Sequence, residues 1–138
     1  MNERIQETED IAARQRADAL SNEIIGAAIE VHRYLGPGLF ESAYEECLCY
    51  ELGLRGINYE RQVPLTLNYK GMNLECAYRL DLLVDGLVVV ELKSVPAIDP
   101  IHEAQLLTYL RLRNSWLGII INFNVKMLRN GIKRLVNG

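Results

Sequence analysis

The stretch that decides the fold is residues 81–93, DLLVDGLVVVELK. The dipeptide Asp85-Gly86 is a strong turn signal between two apolar runs, which predicts a β-hairpin. Side chains alternate between the two faces of a strand, so Glu91 and Lys93 share one face while the residues between and before them point into a core. The second run, residues 87–92, is apolar at nearly every position and is predicted to be the central strand of the sheet.

The hairpin carries two carboxylates and one ammonium: Asp81, Glu91 and Lys93. Hard divalent cations prefer oxygen ligands, and an ammonium beside them can stabilise a charged phosphoryl oxygen. These residue types therefore favour metal-assisted phosphodiester hydrolysis. The alternative is a solvated acid near the turn with an exposed ion pair on the sheet, worth only ~0.2–1 kcal/mol.

The register of the hairpin decides whether the carboxylates share a face. A strict two-residue turn at Asp85-Gly86 would pair Leu80 with Glu91 and place Asp81 on the opposite face. An odd loop length or a bulge near Asp81 would bring both carboxylates to one face, and bulges are common beside active sites. We predict such an irregularity.

Length and composition indicate one domain. The chain has 138 residues, enough to bury a sizeable core, and 49% of them are hydrophobic. We expect the domain to span residues 21–138, preceded by a charged tail or a loosely docked helix at residues 1–20. No apolar run approaches the ~20 residues of a membrane span. Residues 1–20 lack the pattern of a signal peptide, so the expected location is cytoplasmic, without a membrane partner.

Cysteine content and charge narrow the function classes. Cys47, Cys49 and Cys76 are too few for an iron-sulfur cluster and too irregular for a disulfide framework, so we expect buried thiols and disfavour a redox role. Residues 1–60 hold five Lys or Arg against twelve Asp or Glu, whereas residues 61–138 hold ten against six. This asymmetry can mark a phosphate-contacting surface, and a solvated basic face is equally compatible.

Periodicity and turn signals give the element order α-α-β-β-β-α-β, with Ser21 able to cap the first helix. Helices are predicted at residues 21–35, 40–52 and 101–113, and extended runs at 57–69, 72–80, 82–84, 87–92, 116–123 and, as a short final strand, 131–136. Pro64 suggests an edge strand or a bulge. The order implies an α/β fold with a central mixed sheet flanked by helices.

Two helical motifs accompany the hairpin. Residues 38–44, GLFESAY, spell G-x-x-E-x-x-Y at a helix start and place Glu41 and Tyr44 three residues apart. In the third helix, Gln105 and Tyr109 lie four apart on one face. Generic alternatives exist for both motifs, since Glu41 can be a first-turn acid favoured by the helix dipole and the Gln/Tyr pair can serve packing alone.

Together with Asp81 and the tripeptide 91–93, in this order, these motifs resemble the GxxExxY family of the PD-(D/E)XK nuclease superfamily. The similarity runs from about residue 21 to residue 138. Stretches 61–64, 102–105 and 121–124 also look like family stretches. The one departure is that Leu80, instead of a proline, precedes Asp81, which the superfamily often tolerates.

The resemblance implies a restriction-endonuclease-like fold and a divalent-metal-dependent nuclease, acting on DNA. It implies that Asp81, Glu91 and the backbone carbonyl of Leu92 ligate Mg²⁺ or Mn²⁺, with Glu41 completing the site. Lys93 would orient the attacking water and stabilise charge that develops on the phosphate.

Further residues are expected beside this site. By the same resemblance, Gln105 and Tyr109 would help to fix the substrate and the catalytic groups, and Tyr44 would contact the substrate. Arg79, on the strand of Asp81, could reach a phosphate or pair with an acid. We expect His102 to be a surface or capping residue, since a metal site of oxygens needs no imidazole.

Two interpretations remain open from the sequence. The superfamily includes members that have lost catalysis, so the chain could be an inactive nucleic-acid-binding or protein-interaction module on the same fold. Its acidic net charge of -3 and short length favour that alternative. Small nucleases of this kind often act in pairs, so a homodimer is one possible assembly, although no interface can be read from the sequence.

Overall fold

A computed structural model describes residues 3–138, except for the side chains of Cys76 and Ala77. The helices are α1 (Glu3–Leu35), α2 (Glu41–Leu54) and α3 (Pro100–Arg113). The strands are β1 (Tyr59–Tyr69), β2 (Met72–Val84), β3 (Val88–Lys93), β4 (Leu117–Asn122) and β5 (Ile132–Val136), with a short 3₁₀ helix, Leu128–Gly131, before β5. The predicted burial is confirmed for Cys49, whereas Cys47 is only half-buried. The same prediction for Cys76 lies outside the described side chains.

The five strands form one mixed sheet in the order β1-β2-β3-β4-β5. Only the β3–β4 pair is parallel, as expected for two strands joined through a helix, here α3. The predicted central position of β3 is confirmed. Pro64 lies on the edge strand β1, where its missing N–H costs no ladder bond, and the β1–β2 register shifts between Leu65 and Leu67.

Two hydrophobic clusters hold helices against both faces of the sheet. On one face, Val90 and Leu92 of β3 pack in a cluster with buried residues of α1 and α2. On the other face, Val89 packs with Leu106 and Leu110 of α3. This arrangement explains why β3 is apolar on both faces until Glu91, the first charged residue along the strand.

The first helix is longer than the sequence predicts. It begins at Glu3 and runs through residue 21 without a break, so the prediction that Ser21 caps it is wrong; the Ser21 hydroxyl donates to the Asp18 carbonyl oxygen at 2.7 Å. The early turns lack apolar periodicity but are rich in good helix formers. They are attached to the domain by an ion pair between Asp18 and Arg134 and by the Arg14 guanidinium, 5.3 Å from the centre of the Trp116 ring.

The connection between β2 and β3 has an odd number of residues, which is what brings Asp81 and Glu91 to the same face of the sheet. Asp85 and Gly86 both have positive φ angles (51° and 67°), and the amide of Leu87 donates to Val84 O at 2.9 Å. Val84 then pairs with Val88, so Leu87 is an extra residue in the connection. The predicted irregularity is confirmed, and it lies beside the turn.

No helix within residues 3–138 is both long enough and apolar enough to cross a membrane.

Candidate active site

Where the backbone pairing of β2 with β3 ends, two acidic side chains accept hydrogen bonds from backbone amides of the neighbouring strand. The last backbone pair is Leu82 with Val90, which puts Asp81 and Glu91 opposite each other. The amide of Asp81 donates to Glu91 Oε2 at 2.8 Å, and the amide of Leu92 donates to Asp81 Oδ2 at 2.8 Å. Each of the two acidic side chains therefore accepts a hydrogen bond from a backbone N–H of the other strand. The two hydrogen bonds place both acidic side chains at the junction of β2 and β3.

Burial and mutual repulsion make this pair reluctant to ionise. Burial, followed by the charge of Asp81, raises the pKa of Glu91 to about 8; the side chain is only 7% exposed. Burial also raises the pKa of Asp81, partly opposed by the hydrogen bond from the Leu92 amide. A positive ion beside the pair would favour the charged form of both groups.

Lys93 and Glu41 lie within electrostatic range of the pair. Lys93 shares the face of Glu91, and its positive charge acts to lower the pKa of both carboxyls. It forms no ion pair within 4.0 Å with any residue that the structure describes. Glu41, exposed in the first turn of α2, acts in the opposite direction and raises the pKa of both.

Helix α3 brings Gln105 and Tyr109 to the same region. Tyr109 is 5% exposed, and the charges of Glu91 and Asp81 both act on its hydroxyl. Burial, followed by the charge of Glu91, raises the pKa of Tyr109 to about 12, while a hydrogen bond with Gln105 opposes the shift. At neutral pH the hydroxyl is therefore protonated and able to donate a hydrogen bond.

A third carboxylate near Asp81 was not identified from the sequence. Glu45 lies one helical turn after Glu41 and is 9% exposed. Its Oε2 accepts from Arg61 Nη2 at 2.8 Å and Nε at 3.2 Å, and its Oε1 accepts from Gln62 Nε2 at 2.9 Å. Its charge adds to that of Glu41 in raising the pKa of Asp81. The i, i+4 spacing of the two glutamates was the signal that could have identified it.

Gln62 of β1 lies opposite Asp81 of β2 and has a strained backbone. Its neighbours Arg61 and Val63 pair with Leu82 and Leu80, but Gln62 itself has a φ of 51°. A left-handed conformation is uncommon for a residue with a long side chain, and such strain often marks functional sites. The bond from Gln62 to Glu45 holds this conformation.

The Arg79 guanidinium and the Leu92 carbonyl are the two remaining groups with a predicted role at the site. Arg79 is exposed, and its Nη1 donates to Gln62 O at 3.2 Å instead of pairing with a carboxylate. The Leu92 side chain is buried in the core, and its amide is bound to Asp81. The roles predicted for the Arg79 guanidinium and the Leu92 carbonyl remain predictions.

The prediction that Tyr44 contacts the substrate needs correction, because the side chain is fully buried. Its ring stacks on Phe123 with centroids 4.3 Å apart. Its hydroxyl donates to Gly36 O at 2.5 Å and accepts from the Leu39 amide at 3.2 Å. Tyr44 therefore holds the loop before α2. His102 has the predicted capping role, since Asp99 N donates to His102 Nδ1 at 3.0 Å.

The segment after Lys93 is held by a buried asparagine. Asn122 Nδ2 donates to Val95 O at 3.0 Å, and Asn122 Oδ1 accepts from the Val95 amide at 3.1 Å. Ser94 Oγ donates to Leu39 O at 2.6 Å and so links this segment to the loop before α2. These bonds fix the end of β3 and the start of α2 relative to each other.

The donor set suits a sparsely coordinated hard cation. Within the described residues, no group of three or more His, Cys, Asp or Glu side chains is arranged to hold a metal ion. Mg²⁺ commonly uses one or two carboxylates and keeps several waters. Asp81 and Glu91 supply such a pair, and each commits one oxygen to a backbone amide. The residues therefore fit Mg²⁺ or Mn²⁺ bound through few protein ligands.

The fold and the site define a class of α/β protein in which helices cover both faces of the sheet, and an acidic pair shared by β2 and β3 lies beside a lysine at the end of β3. The family model of the PD-(D/E)XK nuclease superfamily matches residues 18–135. The chain belongs to this superfamily and has its restriction-endonuclease-like fold. No curated protein and no solved structure matches the chain significantly.

Proposed function

We propose that the chain is a member of the GxxExxY family and a divalent-metal-dependent nuclease that hydrolyses phosphodiester bonds in DNA. The observation that supports this proposal is the pairing of Asp81 with Glu91 across two strands, with Lys93 on the same face as Glu91. The raised pKa of both carboxyls agrees with a site that a cation completes.

Each residue has a defined task in this proposal. Asp81, Glu91 and the Leu92 carbonyl would hold Mg²⁺ or Mn²⁺, with Glu41 as a further acid. When bound, the cation supplies a water of lowered pKa and offsets the charge of the phosphate. Lys93 would orient the attacking water and donate to the phosphate oxygen on which charge develops.

The α3 residues and Arg79 would position the DNA. The Tyr109 hydroxyl is protonated at neutral pH and can donate to a phosphate oxygen, with Gln105 fixing its orientation. The exposed Arg79 can reach a phosphate as a charged donor while its Nη1 remains bonded to Gln62 O.

The proposal is tested by incubating the purified protein with single- and double-stranded DNA in Mg²⁺ or Mn²⁺. We expect Asp81→Ala and Lys93→Ala each to reduce cleavage by at least about 100-fold, because each removes a group that acts in the transition state. The matched control is Lys70→Ala, at an exposed turn between β1 and β2. Cleavage that survives unchanged in the Asp81 and Lys93 variants would refute the assignment.

A second candidate is an inactive module on the same fold. The observation that favours it is that the two carboxylates already join β2 to β3 through backbone amides, which is a structural role. Calorimetric titration with Mn²⁺ separates the two candidates. Metal uptake that Asp81→Ala abolishes favours the nuclease, whereas no uptake at millimolar Mn²⁺ favours the module.

A further inference from the structure

A polar cavity of about 380 Å³ lies at the end of the sheet away from the carboxylate pair. Gly86 and Leu87, just before β3, form one wall, and Trp116, just before β4, forms another. Glu91 and Lys93 occupy the other end of β3. The volume is at the small end of the range for small-molecule sites. The cavity is therefore separate from the proposed active site.

Two arginines from distant parts of the chain line this cavity. Arg14 comes from α1, and Arg113 comes from the last turn of α3. Neither forms an ion pair within 4.0 Å with any residue that the structure describes. By contrast, Arg33, Arg55 and Arg61 each pair with a glutamate. Arg14 and Arg113 are both exposed, and their positive charges at one cavity have no ion-paired acid, so a bound anion would offset these charges.

The Trp116 ring holds one of these guanidinium groups in place. The Arg14 Cζ lies 5.3 Å from the centre of the ring. A guanidinium that stacks on an aromatic face keeps its N–H donors free in its own plane, so it is prepared for hydrogen bonds to an oxyanion. Less side-chain entropy is then lost when a ligand binds.

Two features of the cavity oppose an anion, and both are weaker than the two arginines. Asp10 lines the cavity with one negative charge against two positive charges. The carboxyl end of α3 carries a partial negative charge. The Asn114 and Ser115 amides already bond the carbonyls of Leu110 and Arg111 at this end, which reduces that effect.

We propose that this cavity binds a phosphate group, which Arg14 and Arg113 hold. Asn114, Ser115 and Asn137 also line the cavity and provide polar groups around the ligand. A phosphate has the geometry that guanidinium groups recognise through paired hydrogen bonds. The phosphate belongs either to a small phosphorylated molecule or to a nucleic-acid backbone. The site is independent of the proposed nuclease activity.

The test is thermal unfolding of the full chain in rising concentrations of inorganic phosphate at constant ionic strength, without divalent metal. We expect a saturable rise of the melting temperature for the natural sequence. Arg14→Gln and Arg113→Gln should each weaken phosphate binding by about tenfold, the usual effect of losing one charge-assisted hydrogen bond. Arg16→Gln, on the same helix but not lining the cavity, should bind phosphate like the natural sequence.

Several results would overturn the proposal. One is the absence of a saturable shift up to about 10 mM phosphate, a concentration well above the range of functional sites. Another is an equal loss in Arg16→Gln, which would indicate a general charge effect. Unchanged phosphate binding in Arg113→Gln would also overturn it.

Competition identifies the source of the phosphate. The competition is measured in the Asp81→Ala variant, in which DNA cleavage is expected to be lost. If a nucleoside monophosphate displaces inorganic phosphate and a short oligonucleotide does not, the ligand is a small phosphorylated molecule. Displacement by the oligonucleotide, lost in Arg113→Gln, would assign a nucleic-acid backbone. Both results support phosphate binding in this cavity. Neither readout depends on whether the protein cleaves DNA at the proposed active site.

Discussion

At position 91 a carboxylate is buried beside a second carboxylate, and both are held by backbone amides instead of basic side chains. This arrangement is costly without a cation, because burial and the Asp81 charge both disfavour the ionised form of Glu91. The folded protein therefore favours the protonated form of Glu91, and its stability should depend on pH. Measurements of stability without metal can detect this dependence.

The first prediction concerns the pH dependence of stability in the metal-free protein. The pKa of Glu91 rises from 4.5 to about 8 on folding. Between these values the unfolded chain has lost the proton that the folded chain still holds, so raising the pH favours unfolding. We therefore expect the free energy of unfolding to fall steadily from pH 5 to pH 8.

Urea denaturation across this pH range measures the effect. Glu91→Gln should flatten the decline, because a neutral amide cannot titrate. Glu23→Gln, at an exposed position of α1, is the control and should keep the slope of the natural sequence. An unchanged slope in Glu91→Gln would contradict the buried, proton-retaining carboxyl.

The second prediction tests the structural role of Tyr44. Tyr44→Phe keeps the stack on Phe123 but removes the bonds to Gly36 O and the Leu39 amide. We expect a loss of stability of about 1–2 kcal/mol, the usual effect of removing a buried hydrogen-bonding group. The KM for DNA should stay within about twofold, because the buried ring cannot reach a substrate. A large rise in KM at full stability would restore the substrate-binding role.

At the scale of elements, α2 and β1 are joined next to the carboxylate pair by the Glu45, Arg61 and Gln62 bonds. Glu46 adds a second ion pair with Arg61, at 2.7 Å, on the exposed side of the helix. The hydrogen bond from Arg61 lowers the pKa of Glu46. This junction keeps Gln62 in its left-handed conformation opposite Asp81.

The third prediction concerns this junction. Arg61→Gln leaves the nearly buried Glu45 with a much weaker partner, so we expect a loss of about 1–3 kcal/mol in unfolding free energy. Glu45→Gln in the same chain should recover part of the loss, because the uncompensated charge is gone. Arg55→Gln breaks only an i, i+4 pair on the surface and should cost about 0.5 kcal/mol or less. Equal losses in the two arginine variants would contradict the special role of Arg61.

The helices and strands could be predicted from the sequence, whereas the side-chain contacts between them could not. Turn chemistry and hydrophobic periodicity identified the hairpin, the central strand and the three helices, because those signals are local. The position of Glu45 against Arg61 and Gln62 could not be read, because it depends on how α2 lies against β1. Tyr44 was misassigned for the same reason, since its spacing in the motif does not show that Phe123 covers its ring.

At the scale of the whole molecule, α1 connects regions that are far apart in sequence. Its first buried residue is Ala17, and Asp18 pairs with Arg134 of β5. The helix therefore contributes to the domain before residue 21, where the sequence placed its start. The absence of apolar periodicity in its first turns explains this error.

The fourth prediction follows from that position of α1. A chain beginning at residue 21 loses the Ala17 packing, the Asp18 pair and the Arg14 contact with Trp116, so its melting temperature should fall by about 3–8 °C. A chain beginning at residue 11 keeps all three contacts and should melt within about 2 °C of the full chain. Calorimetry measures both. Equal melting temperatures for the two shortened chains would show that these contacts add nothing.

The loop before α2 has a wider consequence. Asp81 and Glu91 are fixed by strands in the middle of the sheet, whereas Glu41 sits on a helix whose approach is set by the Tyr44 hydroxyl and the Ser94 bond to Leu39. Two acids are thus positioned by the sheet, and the third is positioned by the loop before α2. Substitutions at residues 36–39, which change no carboxylate themselves, should move Glu41 relative to the strand pair and so retune the proposed cation site while leaving Asp81 and Glu91 untouched.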